Sequence, residues 1–185
     1  TVGDCCAGLI DIDFFTNLCV RVGEREGDDI LRRLAAMLSE ASDGLAYRYG
    51  DDEFLLLLPC AGQPARLLTV DSAEEGSPHA FFDALRRRVA RAGLVRRAPY
   101  EKVPVRLSIG IACGSAGDAP FAVLKAAEIA LQSAKKKGRY RVEEISPHPL
   151  QWKPKGRLHT LAGCSLRGDC AEGDLCFDAP LAEPY

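Results

Sequence analysis

The sequence predicts an α+β domain, a sheet with helices packed on one face, followed by an irregular C-terminal tail. Three observations predict it. Apolar segments run in the order β-α-α-β-β-α-β-α-β, a tight turn at Gly50-Asp51 joins two neighbouring strands, and the apolar period alternates between strand-like and helix-like spacing. On this reading residues 1–145 form the domain and residues 146–185 a tail or linker.

The elements follow in order. Residues 7–12, Ala-Gly-Leu-Ile-Asp-Ile, form a short apolar run that fits a buried strand ending in carboxylates. From Phe14 to about Ala41 the pattern turns helical, with Gly27 expected to break it. Beyond that break Ile30, Leu31, Leu34, Ala35 and Leu38 recur at i, i+3 and i+4 spacing. Leu45 to Tyr49 and Glu53 to Leu58 read as strands joined by Gly50-Asp51, a two-residue hairpin signal because such turns need positive φ. Cys60 to Pro78 carries Gly, Pro and Ser without a period, and Phe81 to Ala92 reads as an amphipathic helix bearing Arg86, Arg87, Arg88 and Arg91.

Val103 to Cys113 alternates like a strand, with Val103, Val105, Leu107, Ile109 and Ile111 on one face. Pro120 opens the next helix at a favoured first-turn position and Gly138 ends it. The stripe of that helix is expected to be Phe121, Leu124, Ala127, Leu131 and Ala134, and Arg139 to Ile145 reads as a last strand. Beyond Ser146 the texture changes: five of the eleven prolines fall in the last 40 residues.

Composition narrows the function classes. The 185 residues suit one domain with an appendage, and 47% hydrophobic with 27% charged residues excludes a disordered or collagen-like chain. With 24 basic and 26 acidic residues the net charge is −2, which supports neither a nucleic-acid coat nor a polybasic membrane surface. The longest apolar runs, Phe54 to Leu58 among them, are far short of the roughly 20 residues that span a bilayer, and no signal peptide is expected.

The cysteines point the same way. Cys5, Cys6, Cys19, Cys60 and Cys113 lie in or beside apolar segments, so the body is expected to be reduced and cytoplasmic. In the tail, His159, Cys164, Cys170 and Cys176 lack the close C-x₂₋₄-C pair of a strong zinc signal; free thiols are the favoured reading and zinc the alternative.

Two acidic spots stand out. Asp11 and Asp13 sit where the first strand ends, and Asp51, Asp52 and Glu53 sit on and after the hairpin. If the hairpin lies beside the first strand, these groups converge at a sheet edge. Clustered carboxylates repel unless a divalent cation compensates them, and hard oxygen ligands favour Mg²⁺ (or Mn²⁺) with nucleotide phosphates as co-ligands. Solvated turn residues are the alternative.

The spacing of the whole set carries a resemblance. Asp11-Ile12-Asp13-Phe14-Phe15, Gly23, Gly27-Asp28 and Arg48-Tyr49-Gly50-Asp51-Asp52-Glu53-Phe54 with Pro59 resemble the GGDEF domains of diguanylate cyclases. Leu107 to Ala112 resembles that family's core strand, and Ala127 to Arg139 its Ala-Asp-x-Ala-Leu-Tyr-x-Ala-Lys-x-x-Gly-Arg segment. The resemblance spans residues 7–145 in order. It implies a ferredoxin-like nucleotide-cyclase fold with a mostly antiparallel sheet. It also implies Mg²⁺-dependent condensation of two GTP molecules to cyclic di-GMP across a homodimer, with a fused or associated sensory or effector domain.

By position, the resemblance makes Asp11 and the Ile12 carbonyl metal ligands, Asp52 the catalytic metal ligand and Glu53 its support. Asp28 would accept from guanine, Gly50 and Asp51 would lie at the nucleotide with Cys19, and Lys135 and Arg139 would neutralise its phosphates. Those last two lie four apart at a helix end and can face one anion.

Departures from the family pattern are equally specific. The second motif glycine is Asp51, and a carboxylate about 5 Å from a phosphate is unfavourable by roughly 3 kcal/mol at an effective dielectric near 20. Cys19 stands where the family has its guanine-binding Asn, and an unpaired guanine edge costs ~1–3 kcal/mol. Thr16, Val20, Glu24 and Gln132 replace the family's Lys, Asp, His and Tyr.

The inhibitory Arg-x-x-Asp site would fall at Ala41 and Gly44, so product feedback through it is not expected. The opening-helix signature Asp-x-Leu-Thr-Gly-Leu-x-Asn-Arg has no counterpart, so the chain reads as a partial, divergent copy. The expected function is therefore a degenerate domain that keeps Mg-nucleotide binding, with weak or absent synthesis.

Three alternatives remain open: a fully active cyclase, a non-catalytic interaction module, and a palm-type polymerase or oligonucleotide cyclase using the Gly50-Asp51-Asp52 hairpin. The arginine run from Arg86 to Arg97 reads as a solvated helix face, His79 and His148 as surface residues and Trp152 as an anchor for the tail.

Overall fold

The computed structural model describes residues 5–43, 45–59, 77–101, 103–115 and 117–147. Residues 60–76 of the irregular stretch expected from Cys60 to Pro78, and the tail, with His148, Trp152, His159 and its cysteines, lie outside the described residues, as does Gly44. In chain order the elements are β1 (Cys5–Ile12), α1 (Phe15–Val22), α2 (Glu24–Ala41), β2 (Ala46–Arg48), β3 (Glu53–Pro59), α3 (Pro78–Arg91), β4 (Leu107–Gly114), α4 (Pro120–Lys136) and β5 (Val142–Glu144). The fold is α+β, as the sequence predicts.

The strands form one sheet in the order β2-β3-β1-β4-β5. Pairs β1–β3, β1–β4 and β2–β3 are antiparallel, and β4–β5 is parallel. The first strand is therefore central, with Asp11 opposite Glu53 on one side and Ser108 on the other.

Helices cover both faces, which corrects the expected one-sided packing. On one face Ile10, Ile12, Phe54, Leu56, Ile109 and Ile111 meet Leu18, Ile30, Leu34, Leu38, Phe82 and Leu85 from α1, α2 and α3. On the other, Ala7, Leu9 and Ala112 meet Val123, Ala127 and Leu131 of α4. A central strand buried on both sides reads as a continuous apolar run, which is why β1 lacks alternation.

Two glycines make the layers possible. A Cβ at Gly8 would lie 2.1 Å from the Phe82 ring, and one at Gly110 would lie 2.0 Å from the Leu131 backbone nitrogen. Helix α4 thus sits with its backbone directly on β4.

Several boundaries differ from the sequence reading. The helical stretch breaks at Gly23, whose φ of 87° separates α1 from α2, whereas Gly27 is buried inside α2. Residues 103–106 precede β4, although Val105 still joins the same core. Phe121 is 76% exposed; the inward stripe of α4 is Val123, Ala126, Ala127, Ala130, Leu131 and Ala134. Small residues win that face because the helix lies so close to the sheet.

The expected reduced state of the body is also corrected. Cys6 and Cys113 are partners in the β1–β4 register, and their sulfurs are joined in a disulfide. The arginine run is not simply a solvated face. Arg86 pairs with Asp83 and lies over the Tyr140 ring, Arg88 reaches Glu40, and Arg97 donates to the Val22 carbonyl. Among the described residues no helix is long and apolar enough to cross a membrane.

Candidate functional site

The site forms where β1 and the β2–β3 hairpin end together. The antiparallel register that pairs Asp11 with Glu53 puts two carboxylates at one sheet edge. A backbone bond from Ile12 N–H to the Asp52 carbonyl (3.4 Å) carries the alignment one residue further. The end of α4 then delivers Lys135, whose ammonium lies 2.6 Å from Asp11 Oδ2 and 3.6 Å from Glu53 Oε1.

These residues share a cleft of about 430 Å³. Asp11, Ile12, Asp52 and Glu53 line its acidic side, Lys135 and Arg139 its basic side, and residues 14–17 at the start of α1 its rim. Six of the residues singled out from sequence are thereby brought together. Cys19, Asp28, Gly50 and Asp51 are not among those that line it.

Electrostatics single out Asp11. It is only 7% exposed, and burial pushes its carboxyl up to about 6. The Lys135 ammonium opposes the rise, while the charges of Asp52 and Glu53 add to it. Burial wins because the ion pair replaces only part of the hydration the carboxylate loses.

The donor set fits a divalent cation bound together with phosphates. It is all oxygen: Asp11 and Asp52, which line the cleft, offer carboxylates, and Ile12, which also lines it, offers a backbone carbonyl. Among the described residues no three His, Cys, Asp or Glu side chains converge closely enough to hold an ion by themselves. Mg²⁺ typically takes one or two carboxylates and completes its shell with water and substrate phosphate, so this sparse set suits it.

The hairpin corrects the expected two-residue turn. The last β2–β3 pair is Arg48 with Phe54, and the N–H groups of Tyr49 and Gly50 both donate to the Glu53 carbonyl (2.9 and 3.1 Å). Neither Gly50 nor Asp51 has positive φ. Instead the Arg48 guanidinium, stacked 4.8 Å from the Phe54 ring, donates to the carbonyls of Gly50 and Asp51. The Asp51 side chain is exposed at the apex. Behind the hairpin, Tyr49 Oη donates to Glu128 of α4 (2.8 Å).

Cys19 and Asp28 sit together on the α1–α2 side. The Cys19 sulfur fills the space that a Cβ at Gly27 would need, 2.6 Å away. Burial, then the charges of Asp28, Asp52 and Glu24, hold its thiol above the usual range. Asp52 is therefore near both the cleft and the Cys19–Asp28 corner.

The sequence groups Asp13 with Asp11 in the acidic cluster expected around a cation, and the structure corrects this, since Asp13 is not among the residues lining the cleft; Phe14 and Tyr140 carry no site assignment from sequence. Asp13 turns away from the metal side: Oδ1 accepts from Ser108 Oγ (2.6 Å) and Oδ2 from the Tyr140 N–H (3.0 Å). Phe14 caps α1 in the left-handed region (φ 57°), with the Arg139 guanidinium 4.6 Å from its ring centre. Left-handed aromatic residues carry no sequence signal; only the adjacent Asp-x-Asp-Phe cluster hinted at the place.

Comparison with known proteins agrees with the fold. A family profile described as "Diguanylate cyclase, GGDEF domain" matches residues 6–141. Diguanylate cyclase DosC of Escherichia coli K12 is 31% identical over 137 residues, which is 73% of this chain and 27% of that protein. Response regulator PleD of Caulobacter vibrioides is 31% identical over 137 residues, 72% of this chain and 28% of that one. The chain thus spans less than a third of the length of these curated relatives. The crystal structure of the GGDEF domain of DgcB from Caulobacter crescentus, in complex with c-di-GMP, superimposes with a TM-score of 0.61 at 26% identity, covering 76% of this chain and 77% of that one.

Proposed function

The chain belongs to the GGDEF family of diguanylate cyclase domains, and from that premise we propose a nucleotide-binding signalling domain that retains Mg-GTP binding but makes little or no cyclic di-GMP. The observation that carries the reading is the single cleft holding Asp11, Ile12, Asp52 and Glu53 against Lys135 and Arg139. Asp11, Asp52 and the Ile12 carbonyl would hold the Mg²⁺ (or Mn²⁺), with Glu53 in support. When bound, the cation would offset the charge that develops at the α-phosphate as a partner's 3′-hydroxyl attacks. Lys135 would leave its ion pair with Asp11 for the triphosphate, where Arg139 adds a second positive group.

The guanine half supports the degenerate part of the reading. Asp28 is exposed and offers a carboxylate acceptor, but the Cys19 thiol offers no paired donor and acceptor. A second reading, a fully active cyclase working as a head-to-head homodimer, is favoured by one observation: Asp51 is exposed and outside the cleft residues. Its penalty against phosphate then shrinks with distance and solvent screening.

Incubation with GTP and Mg²⁺ or Mn²⁺, followed by chromatography, separates the two; titration calorimetry measures binding. Binding with near-zero turnover is expected. Robust turnover would establish the second reading, and no heat with any nucleoside triphosphate would leave an interaction module.

A further inference from the structure

We infer that Asp13 is a positioning residue that holds Arg139 at the phosphate side of the cleft; this rests on the role proposed above for Arg139. Just beyond helix α4 come three successive residues with positive φ: Gly138 (107°), Arg139 (63°) and Tyr140 (48°). Glycine adopts that backbone freely, but Arg and Tyr do so only where the surroundings over-determine it. Here the Arg139 N–H donates to the Ala134 carbonyl (2.9 Å), which closes the helix end. The next N–H, that of Tyr140, is taken by Asp13 Oδ2 at 3.0 Å.

Asp13 is itself fixed. Its Oδ1 accepts from Ser108 Oγ (2.6 Å), a side chain wholly buried in β4, and its N–H donates to the Arg106 carbonyl (2.9 Å). The guanidinium groups of Arg86 and Arg106 both lie over the Tyr140 ring, 4.4 and 5.2 Å from its centre. With Tyr140 clamped, Arg139 leaves the chain toward Phe14 and the cleft, where its guanidinium stacks 4.6 Å from the ring centre.

Both carboxylate oxygens of Asp13 therefore act on the protein. Its neighbour Asp11 faces the cleft, and Asp13 sets the direction of the cation opposite. The role matters more here because Thr16 stands where the family has a lysine, leaving Lys135 and Arg139 as the cationic side chains that line the cleft.

A double-mutant cycle on Mg-GTP affinity, measured by calorimetry on the full 185-residue chain, tests this. Arg139→Ala is expected to weaken binding roughly tenfold, the usual loss for one charge-assisted phosphate contact. Asp13→Ala should match it, and the double variant should be no weaker than R139A alone. GMP, which lacks the outer phosphates, should bind D13A and the parent chain equally. Asp13→Asn should restore GTP affinity, because its carbonyl can still accept from Tyr140 while its amide meets Ser108. If D13A does not fold, Asp13→Ser, too short to reach Tyr140, takes its place in the cycle. Multiplicative losses, or equal losses for GMP and GTP, would overturn the positioning role alone. An unaffected R139A would overturn the phosphate role of Arg139 and the inference with it.

Discussion

Lys135 is the residue on which the cleft's charge balance turns. Its ammonium faces a buried carboxylate at 2.6 Å and a second one at 3.6 Å, so in the free protein it supplies the positive charge that a divalent cation would otherwise bring. Removing one partner of such a pair leaves an uncompensated charge in a poorly solvated place. Lys135→Met is therefore expected to destabilise the fold by about 2 kcal/mol, below the usual range for fully buried pairs because the lysine is 22% exposed. The double variant with Asp11→Asn should recover most of that loss, and urea denaturation of both variants measures it. The resemblance puts Asp11 and Lys135, 124 residues apart, at one nucleotide site, but it does not imply the direct ion pair between them. Their types and local spacing were legible; the distance between them was not.

Elements are held by contacts that the sequence pattern only partly exposes. Helix α4 lies on β4 closely enough that a Cβ at Gly110 would meet backbone rather than a movable side chain. Gly110→Ala is expected to cost about 3 kcal/mol, the upper end for overpacking, and thermal unfolding would read it as a lowered midpoint. Helix α2 is tied to the 94–97 segment through Glu26, which accepts from the Arg96 N–H (2.8 Å) and from Arg33 (2.9 Å). The backbone bond from Arg96, with Arg33 adding to it, holds the Glu26 carboxyl below its ordinary 4.5. A depressed folded value means stabilisation that is present above 4.5 and lost as pH falls through the folded value. Glu26→Gln should thus be less stable than the parent at neutral pH, with the gap closing in acid, as paired denaturation curves across pH would show. The misplaced helix break belongs to this scale too. Both Gly23 and Gly27 could have interrupted the period, and what separated them was that Gly27 packs under Cys19 while Gly23 takes positive φ.

At the scale of the whole molecule, the sheet order does the assembling. Placing β1 between β3 and β4 brings the acidic ends of two strands beside each other and aligns the end of α4 with them. A triphosphate entering this cleft meets Asp11, Asp52 and Glu53 as well as Lys135 and Arg139, so binding should depend on a divalent cation. Chelation with EDTA is expected to lower GTP affinity at least roughly tenfold, since one unscreened carboxylate–phosphate repulsion at protein-surface dielectric already exceeds that. Calorimetry with and without chelator would check it. The order of the elements, the apolar faces of α2 and β4 and the acidic hairpin were determined by the sequence alone. These are local properties, set by residue type and period over a few turns. Tertiary structure alone decided that helices cover both faces, that Cys6 meets Cys113, that Arg48 clamps the hairpin and that Asp13 turns to Tyr140 rather than to the cleft. Each depends on which strand lies next to which, and that choice is made by burying the sheet as a whole rather than by any one segment's pattern.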